Sequence, residues 1–132
     1  MRRIIYADED EFERASFGRT LVLIAGGHGI EATVTTVKNG RELVEAVRSG
    51  NYDLCFTERA TSGMRGSGAI GYSAIKQIRE DGNTIPIYFL TGALMGIDEE
   101  VSGSGATGYI DKLKTSKFEE INRAIQRYLG GN

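Results

Sequence analysis

The sequence predicts an α/β fold: a doubly wound parallel sheet of five strands in the order 2-1-3-4-5, with helices on both faces. Three observations support this prediction. Five short apolar runs are spaced along the chain. Segments with helical spacing of apolar residues separate these runs. Glycines and Asn-Gly or Asp-Gly pairs mark many of the boundaries. Regular alternation of strand and helix favours a parallel sheet that helices cover on both sides.

The five apolar runs are rich in β-branched and aromatic residues, which is typical of strands. Continuous apolar runs predict strands that are buried on both faces, and partial alternation in the second run predicts a half-buried strand. Pro86 opens the fourth run, where a missing backbone donor is tolerated. The predicted strands are Arg3–Ala7, Ala32–Val37, Tyr52–Thr57, Pro86–Leu90 and Gly108–Ile110.

The segments between the strands predict helices, several of them closed by glycine. A glycine-rich loop is predicted at 59–71, before the third helix. The predicted helices are Glu11 to about Ala25, Arg41–Arg48, Tyr72–Glu80, Ile97–Ser102 and a last helix that Ser116 opens and Gly130-Gly131 ends.

Two helices carry predictions about their caps and faces. Asp8 or Asp10 is expected to cap the first helix, and Ser116 with Glu119 matches a capping box for the last. The apolar face expected for the first helix includes Phe12, Ala15 and Leu23. The stripe expected for the last helix comprises Phe118, Ile121, Ile125, Tyr128 and Leu129.

The composition indicates one domain, spanning 1–132, and excludes several classes of function. A length of 132 residues with 40% hydrophobic content suits a single core. A net charge of −2 gives no broad attraction to nucleic acid or anionic membrane. No apolar run reaches membrane-spanning length, and the N-terminal residues do not resemble a signal peptide. The single cysteine, Cys55, is expected to be buried and inert, which favours a cytoplasmic setting.

Polar side chains follow most of the predicted strands. Asp8-Glu9-Asp10 follows the first, Glu58 the third, Thr91 ends the fourth, and Asp111-Lys112 follows the fifth. Parallel strands bring these ends to one edge of the sheet, where open α/β sheets bind ligands. Crowded carboxylates repel unless a cation joins them, and oxygen ligands of this kind suit Mg²⁺. A lysine and a hydroxyl beside them suit a phosphoryl group.

Two other patterns carry less weight. A dinucleotide fingerprint directly follows a strand and opens a helix. Neither GxGxxG match, at 66–71 or at 103–108, does both, so neither predicts a dinucleotide site. The only histidine, His28, lies in a glycine turn and is interpreted as a surface residue.

Five segments together resemble one family. The chain is similar to response-regulator receiver domains, the CheY-like domains of two-component signalling, whose sheet has the flavodoxin-like strand order. The resemblance covers nearly the whole length. The matching segments are 3–9, 39–43, 52–58, 86–91 and 108–112.

The resemblance implies a role for each residue at the strand ends. Asp8 and Glu9, together with Glu58, match the acids that hold Mg²⁺. Glu58 stands at the position of the aspartate that accepts phosphate from a histidine kinase. Thr91 and Lys112 match the residues that contact the phosphoryl group, and Tyr109 matches the aromatic whose rotamer reports activation. The family's docking face, formed by helix 4, strand 5 and helix 5, implies a protein partner.

The chain departs from the family pattern at four places. Glu58 and Glu9 stand where aspartates are usual, Leu113 replaces a proline, and the loop after Glu58 is extended. The extra methylene of Glu58 moves its carboxylate by about 1.5 Å, which misplaces it for phosphoryl transfer. A Glu58–Lys112 ion pair is expected to hold the site in one state without phosphate.

These expectations lead to a main hypothesis and two alternatives. The main hypothesis is a stand-alone receiver-like domain that is not an enzyme and signals through protein contacts, with phosphorylation impaired. One alternative is a true phosphoacceptor that a histidine kinase modifies at Glu58, Thr61 or Ser62, with only the self-catalysed phosphoryl transfer of receivers. The other is a flavodoxin-like protein that binds a cofactor or another ligand through the glycine-rich 63–71 loop.

Overall fold

The computed structural model describes residues 1–59 and 70–130, without the side chain of Ile70. Strands and helices alternate throughout the described chain, as predicted. Their bounds are β1 Arg2–Ala7, α1 Glu11–Gly27, β2 Ala32–Val37, α2 Gly40–Ser49, β3 Leu54–Thr57, α3 Ile70–Glu80, β4 Ile87–Thr91, α4 Ile97–Ser104, β5 Gly108–Asp111 and α5 Lys117–Leu129.

The five strands form one parallel sheet in the order β2-β1-β3-β4-β5, which confirms the predicted fold class. β1 lies between β2 and β3, and Ala7 at its end is in register with Thr57 at the end of β3. Thr91 at the end of β4 is in register with Asp111. The polar residues that follow these strands therefore start from neighbouring points on one edge.

The core lies on both faces of the sheet because successive strand residues point to opposite sides. Ile4 and Tyr6 of β1 pack with α1 and α5, whereas Ile5 and Ala7 pack with α2, α3 and α4. All four are fully buried. The strands therefore lie between two packed layers of helices.

The apolar face predicted for α1 is wrong. Phe12 and Leu23 are 82% and 73% exposed, and Ala15 is also exposed. The buried face is Phe17, Leu21 and Ala25. Apolar residues surround this helix, so spacing alone does not select the face that docks on the sheet.

The last helix also departs from two predictions. Phe118 is 47% exposed and lies outside the buried stripe, which consists of Ile121, Ala124, Ile125 and Leu129. The predicted capping box is absent, because Ser116 makes no capping bond and its hydroxyl donates to Glu120 at 3.1 Å. At α1 the cap is Asp10, whose carboxylate accepts from the N–H groups of residues 12 and 13.

The predicted 59–71 loop lies mostly outside the described residues. Its last two residues, Ile70 and Gly71, belong to α3 rather than to a loop. The segment at 103–108 runs from the end of α4 into β5 and opens no helix, as its sequence interpretation required. Within the described parts of the chain, every helix is too short or too polar to cross a membrane.

Candidate functional site

Asp8 and Glu58 lie side by side because their strands do. β1 and β3 are paired up to Ala7 and Thr57, and the Glu58 N–H donates to the Ala7 carbonyl at 2.8 Å. Each acid is the first residue beyond its strand. The side chain of Asp8 is 4% exposed and that of Glu58 is 19% exposed. Two carboxylates are thus held together in a poorly solvated position.

The ammonium group of Lys112 joins these two acids and a third. Its Nζ atom lies 2.8 Å from Glu13 Oε1, 3.1 Å from Glu58 Oε2 and 3.4 Å from Asp8 Oδ2. Lys112 follows β5, and its N–H donates to the Thr91 carbonyl at 3.0 Å. Its side chain is 13% exposed. The carboxyl edge of the sheet therefore carries one cation bound by three carboxylates, which we call the Lys112 cluster.

Opposing effects act on the pKa of Lys112. Burial is the largest single effect and lowers it, because the charged form loses water. The hydrogen bond to Glu13 and the charges of Glu58 and Asp8 raise it, and together they outweigh burial. The net effect is a pKa above the ordinary lysine value. The cluster thus keeps its lysine charged.

Asp8 has further partners that hold its carboxylate in place. The Tyr6 hydroxyl donates to Oδ2 at 2.6 Å, and the Asp10 N–H donates to Oδ1 at 2.9 Å. Burial and the hydrogen bond to Asp8 raise the pKa of Tyr6 above its usual range, so the phenol stays a donor. The Arg14 guanidinium donates to the backbone carbonyls of Asp8 and Glu9 at 2.8 and 3.0 Å.

Glu58 is held at both oxygens. Oε2 faces Lys112, and Oε1 accepts the backbone N–H of Arg59 at 2.8 Å. The Thr57 hydroxyl donates to the Glu58 backbone carbonyl at 3.0 Å. The expected Glu58–Lys112 ion pair is therefore present, within a larger cluster than the sequence indicated.

The side chains of the other predicted site residues, Thr91, Tyr109 and Glu9, do not belong to the Lys112 cluster. Thr91 is buried, and its hydroxyl accepts the Ala93 N–H at 3.1 Å. Tyr109 is 38% exposed on β5. Glu9 is exposed and makes no ion pair among the described residues. Their family roles stay predictions.

Of the three predicted magnesium ligands, Asp8 and Glu58 lie together, but Glu9 does not join them. Both oxygens of Asp8 already accept hydrogen bonds, Glu9 is exposed, and the Lys112 ammonium contacts Asp8 and Glu58. In residues 1–59 and 70–130, no group of three or more His, Cys, Asp or Glu side chains could hold a metal ion. The residues present do not fit Mg²⁺ in this state, and the magnesium site stays a prediction.

The sequence interpretation missed Tyr6 and Glu13. Tyr6 carried a usable signal, because residues two apart in a strand share a face and Tyr6 precedes Asp8 by two. Glu13 lies in the first turn of α1, one turn from the Asp10 cap, and therefore near the same edge. Its contact with Lys112 required knowledge of where α1 docks.

Other predicted features lie away from the cluster. Cys55 is fully buried, and burial raises the pKa of its thiol to about 12, in agreement with an inert residue. His28 is exposed at the end of α1, as expected. Thr61, Ser62 and most of the 63–71 loop lie outside the described residues.

Comparisons with known proteins agree with the fold. Residues 4–126 match the family model described as the response regulator receiver domain. A comparison with curated protein sequences found no significant match.

Solved structures of bacterial receivers superpose over almost the whole chain. The response regulator TrrA of Thermotoga maritima, solved with Mg²⁺ and BeF, has 23% identity and a TM-score of 0.75, covering 98% of this chain and 100% of its own. The receiver domain of a sensor histidine kinase from Pseudomonas aeruginosa, with magnesium in its active-site cleft, has 25% identity and a TM-score of 0.72, covering 99% and 100%.

The chemotaxis response regulator CheY4 of Vibrio cholerae has 21% identity and a TM-score of 0.71, covering 98% of this chain and 99% of its own. The residues that match the family model include four whole strands, most of β1 and the whole Lys112 cluster. With a sheet of this order and acids and a lysine at its carboxyl edge, the chain belongs to the response regulator receiver domain family.

Proposed function

We propose that this receiver domain acts in two-component signalling through protein contacts, and that conventional phosphorylation at position 58 is impaired. One observation carries the proposal: the Lys112 ammonium is bound by the carboxylates of Asp8, Glu13 and Glu58. An internal cation therefore already offsets part of the negative charge of the acids at the site. The site needs no phosphoryl group to hold this arrangement.

The identity and contacts of Glu58 both oppose phosphoryl transfer. Its carboxylate lies about one bond length, roughly 1.5 Å, farther from the backbone than that of an aspartate. Misplacement of about 1 Å can slow an in-line reaction on the order of 10²-fold. Attack on a phosphoryl group would also require the carboxylate to give up its bond to Lys112 or to the Arg59 N–H.

Mg²⁺ has to compete with the same lysine. The related receivers from Thermotoga and Pseudomonas were solved with magnesium. For Asp8, Glu9 and Glu58 to bind it here, Lys112 would have to leave two carboxylates and Glu9 would have to turn inward. We therefore propose that Mg²⁺ binds this chain more weakly than it binds a receiver with aspartates at positions 9 and 58.

The proposed partner surface is the face formed by α4, β5 and α5. Tyr109 is partly exposed there, beside a cavity of about 300 Å³ that Arg123 and Arg127 also line. Aromatic and arginine side chains are enriched at protein interfaces. A histidine kinase is a second proposed partner, through the carboxyl edge. A cytoplasmic location and the absence of enzymatic activity beyond self-catalysed phosphoryl transfer are parts of the same proposal.

The test is phosphorylation of Glu58→Asp beside the wild type. Each protein is incubated with acetyl phosphate and MgCl₂, and intact mass is measured over time. We expect no mass gain for the wild type and a gain of one phosphate for the variant, because the shorter acid restores the position of the attacking oxygen. Glu58→Gln is the matched control, since its amide cannot accept phosphate.

Phosphorylation of the wild type would overturn the proposal and favour the phosphoacceptor alternative. Peptide mapping would then decide among Glu58, Thr61 and Ser62. If Glu58→Asp also gains no phosphate, Glu9 or the extended loop after Glu58 also opposes the reaction. The double variant Glu9→Asp with Glu58→Asp is then the next test, and a phosphate gain would identify Glu9.

A further inference from the structure

Arg59 connects the Glu58 position to a distant part of the fold. Its backbone N–H donates to Glu58 Oε1 at 2.8 Å. Its guanidinium donates to the Ala93 carbonyl at 2.7 Å and to Glu100 Oε2 at 2.9 Å. The side chain is 12% exposed, so water screens these contacts poorly. One residue thus contacts the end of β3, the β4–α4 connection and α4.

Both partners of the guanidinium belong to the segment that leads into α4. Ala93 lies two residues beyond Thr91, whose hydroxyl accepts the Ala93 N–H at 3.1 Å. Glu100 lies in the first turn of α4. Arg59 therefore holds both the approach to α4 and its first turn.

The residue that precedes α4 is a glycine, and it lies beside the Arg59 guanidinium. Gly96 precedes the helix in the left-handed region, with φ of 72°. A Cβ atom added to Gly96 would lie 3.5 Å from Arg59 Nη2, so the guanidinium packs closely against this turn. Other residue types rarely adopt such a backbone conformation, and a glycine there lets the helix start re-orient at little steric cost.

We infer that Arg59 is a positioning residue that transmits the state of the Glu58 carboxylate to α4. Movement of this carboxylate releases the N–H of Arg59, and the change in backbone at residue 59 re-aims its guanidinium at Ala93 and Glu100. The inference deepens the proposed function in one respect, since it treats Glu58 as the switch position and α4 as part of the docking face. It requires no phosphoryl group.

A purely structural ion pair would behave differently. If Arg59 only stabilised α4, changes at Glu58 and at Arg59 would act on α4 independently. If Arg59 carries the signal, removal of Arg59 also removes the response to Glu58. Non-additivity of the two changes separates these cases, because independent sites add and coupled sites do not.

The experiment measures amide hydrogen exchange and amide chemical shifts in the full chain. The variants are Glu58→Ala, Arg59→Ala and the double variant. We expect Glu58→Ala and Arg59→Ala each to speed exchange of the Ile97–Ser104 amides, by about tenfold. The double variant should show no further increase beyond Arg59→Ala. Arg59→Lys should restore part of the response, because one ammonium can hold one of the two partners.

Arg79 provides the matched control. Its guanidinium donates to the Gly105 carbonyl at 2.8 Å, directly after α4, and to the Asn83 carbonyl at 3.0 Å. It makes no contact with Glu58 among the described residues. Arg79→Ala should loosen the end of α4 and leave the effect of Glu58→Ala unchanged.

Two results would overturn the inference. One is additive acceleration of α4 exchange by Glu58→Ala and Arg59→Ala, and the other is unchanged α4 amides in Glu58→Ala. Neither result bears on the proposed function, because phosphorylation is measured separately by mass. A phosphate gain by the wild type would refute the proposed function and leave the coupling through Arg59 standing.

Discussion

Two ion-pair regions of the molecule have almost the same shortest distance and very different surroundings. In the Lys112 cluster the shortest contact is 2.8 Å, and the lysine side chain is 13% exposed. The bridge between Arg48 of α2 and Asp81 after α3 is 2.7 Å long, and its arginine side chain is 54% exposed. The first joins one cation to three acids, and the second joins a single pair.

The surroundings of an ion pair, rather than its distance, therefore determine how much it contributes to the stability of the fold. Exposed pairs gain little because water and salt screen them. Removal of one partner from a poorly solvated cluster is costly, because the remaining charges keep neither water nor a counterion. The two regions therefore predict a ranking of substitutions.

The largest expected effect is that of Lys112→Met. The variant leaves Asp8, Glu13 and Glu58 near one another without their cation. We expect the free energy of unfolding at neutral pH to fall by about 2–3 kcal/mol, measured by urea denaturation. Lys114→Met is the control, because Lys114 is exposed and makes no ion pair among the described residues. An equal loss in both variants would refute the importance of the cluster.

The effect of Lys112→Met should also depend on pH. The folded pKa of Lys112 is raised, so its stabilising effect is complete below the unfolded lysine pKa of about 10.4. This stabilisation is lost as pH rises through the higher folded pKa. The difference in unfolding free energy between wild type and variant should therefore stay constant from neutral pH to about 10 and shrink above it. A difference that already shrinks between neutral pH and about 10 would contradict the sign of the shift.

Tyr6→Phe should have an intermediate effect. The change removes the 2.6 Å hydrogen bond to Asp8 and leaves the ring packed against Phe17. Because the acceptor is charged and the bond is buried, its removal should lower the free energy of unfolding by about 1–2 kcal/mol. Tyr52→Phe is the comparison, since the Tyr52 hydroxyl donates to the neutral, partly buried Thr35 hydroxyl at 3.2 Å and accepts only a long bond, at 3.4 Å, from the Arg3 guanidinium. A larger loss for Tyr52→Phe would reverse the expected order.

Arg48→Ala should have the smallest effect. The variant removes both contacts with Asp81, at 2.7 and 3.3 Å, at a position where water reaches both side chains. Its urea midpoint should match that of the wild type within error, at low and at high salt. A loss as large as that of Lys112→Met would show that distance outweighs burial.

The helices show how far the sequence pattern reaches. In α5, Ile121, Ile125 and Leu129 recur at helical spacing and are buried as predicted. In α1, apolar residues occur on every side, and the pattern did not distinguish Phe17 from Phe12. A stripe predicts a face only where polar residues occupy the opposite side.

The sequence alone predicts the order of strands and helices and the polar residues that follow the strands. Strand periodicity, turn residues and family resemblance sufficed for the sheet and for the neighbourhood of Asp8, Glu58 and Lys112. The tertiary structure decided that Lys112 also binds Glu13 and that Arg59 reaches Ala93 and Glu100. Lysine and arginine have long side chains with many rotamers, and only the packed positions of α1 and α4 select one set of partners.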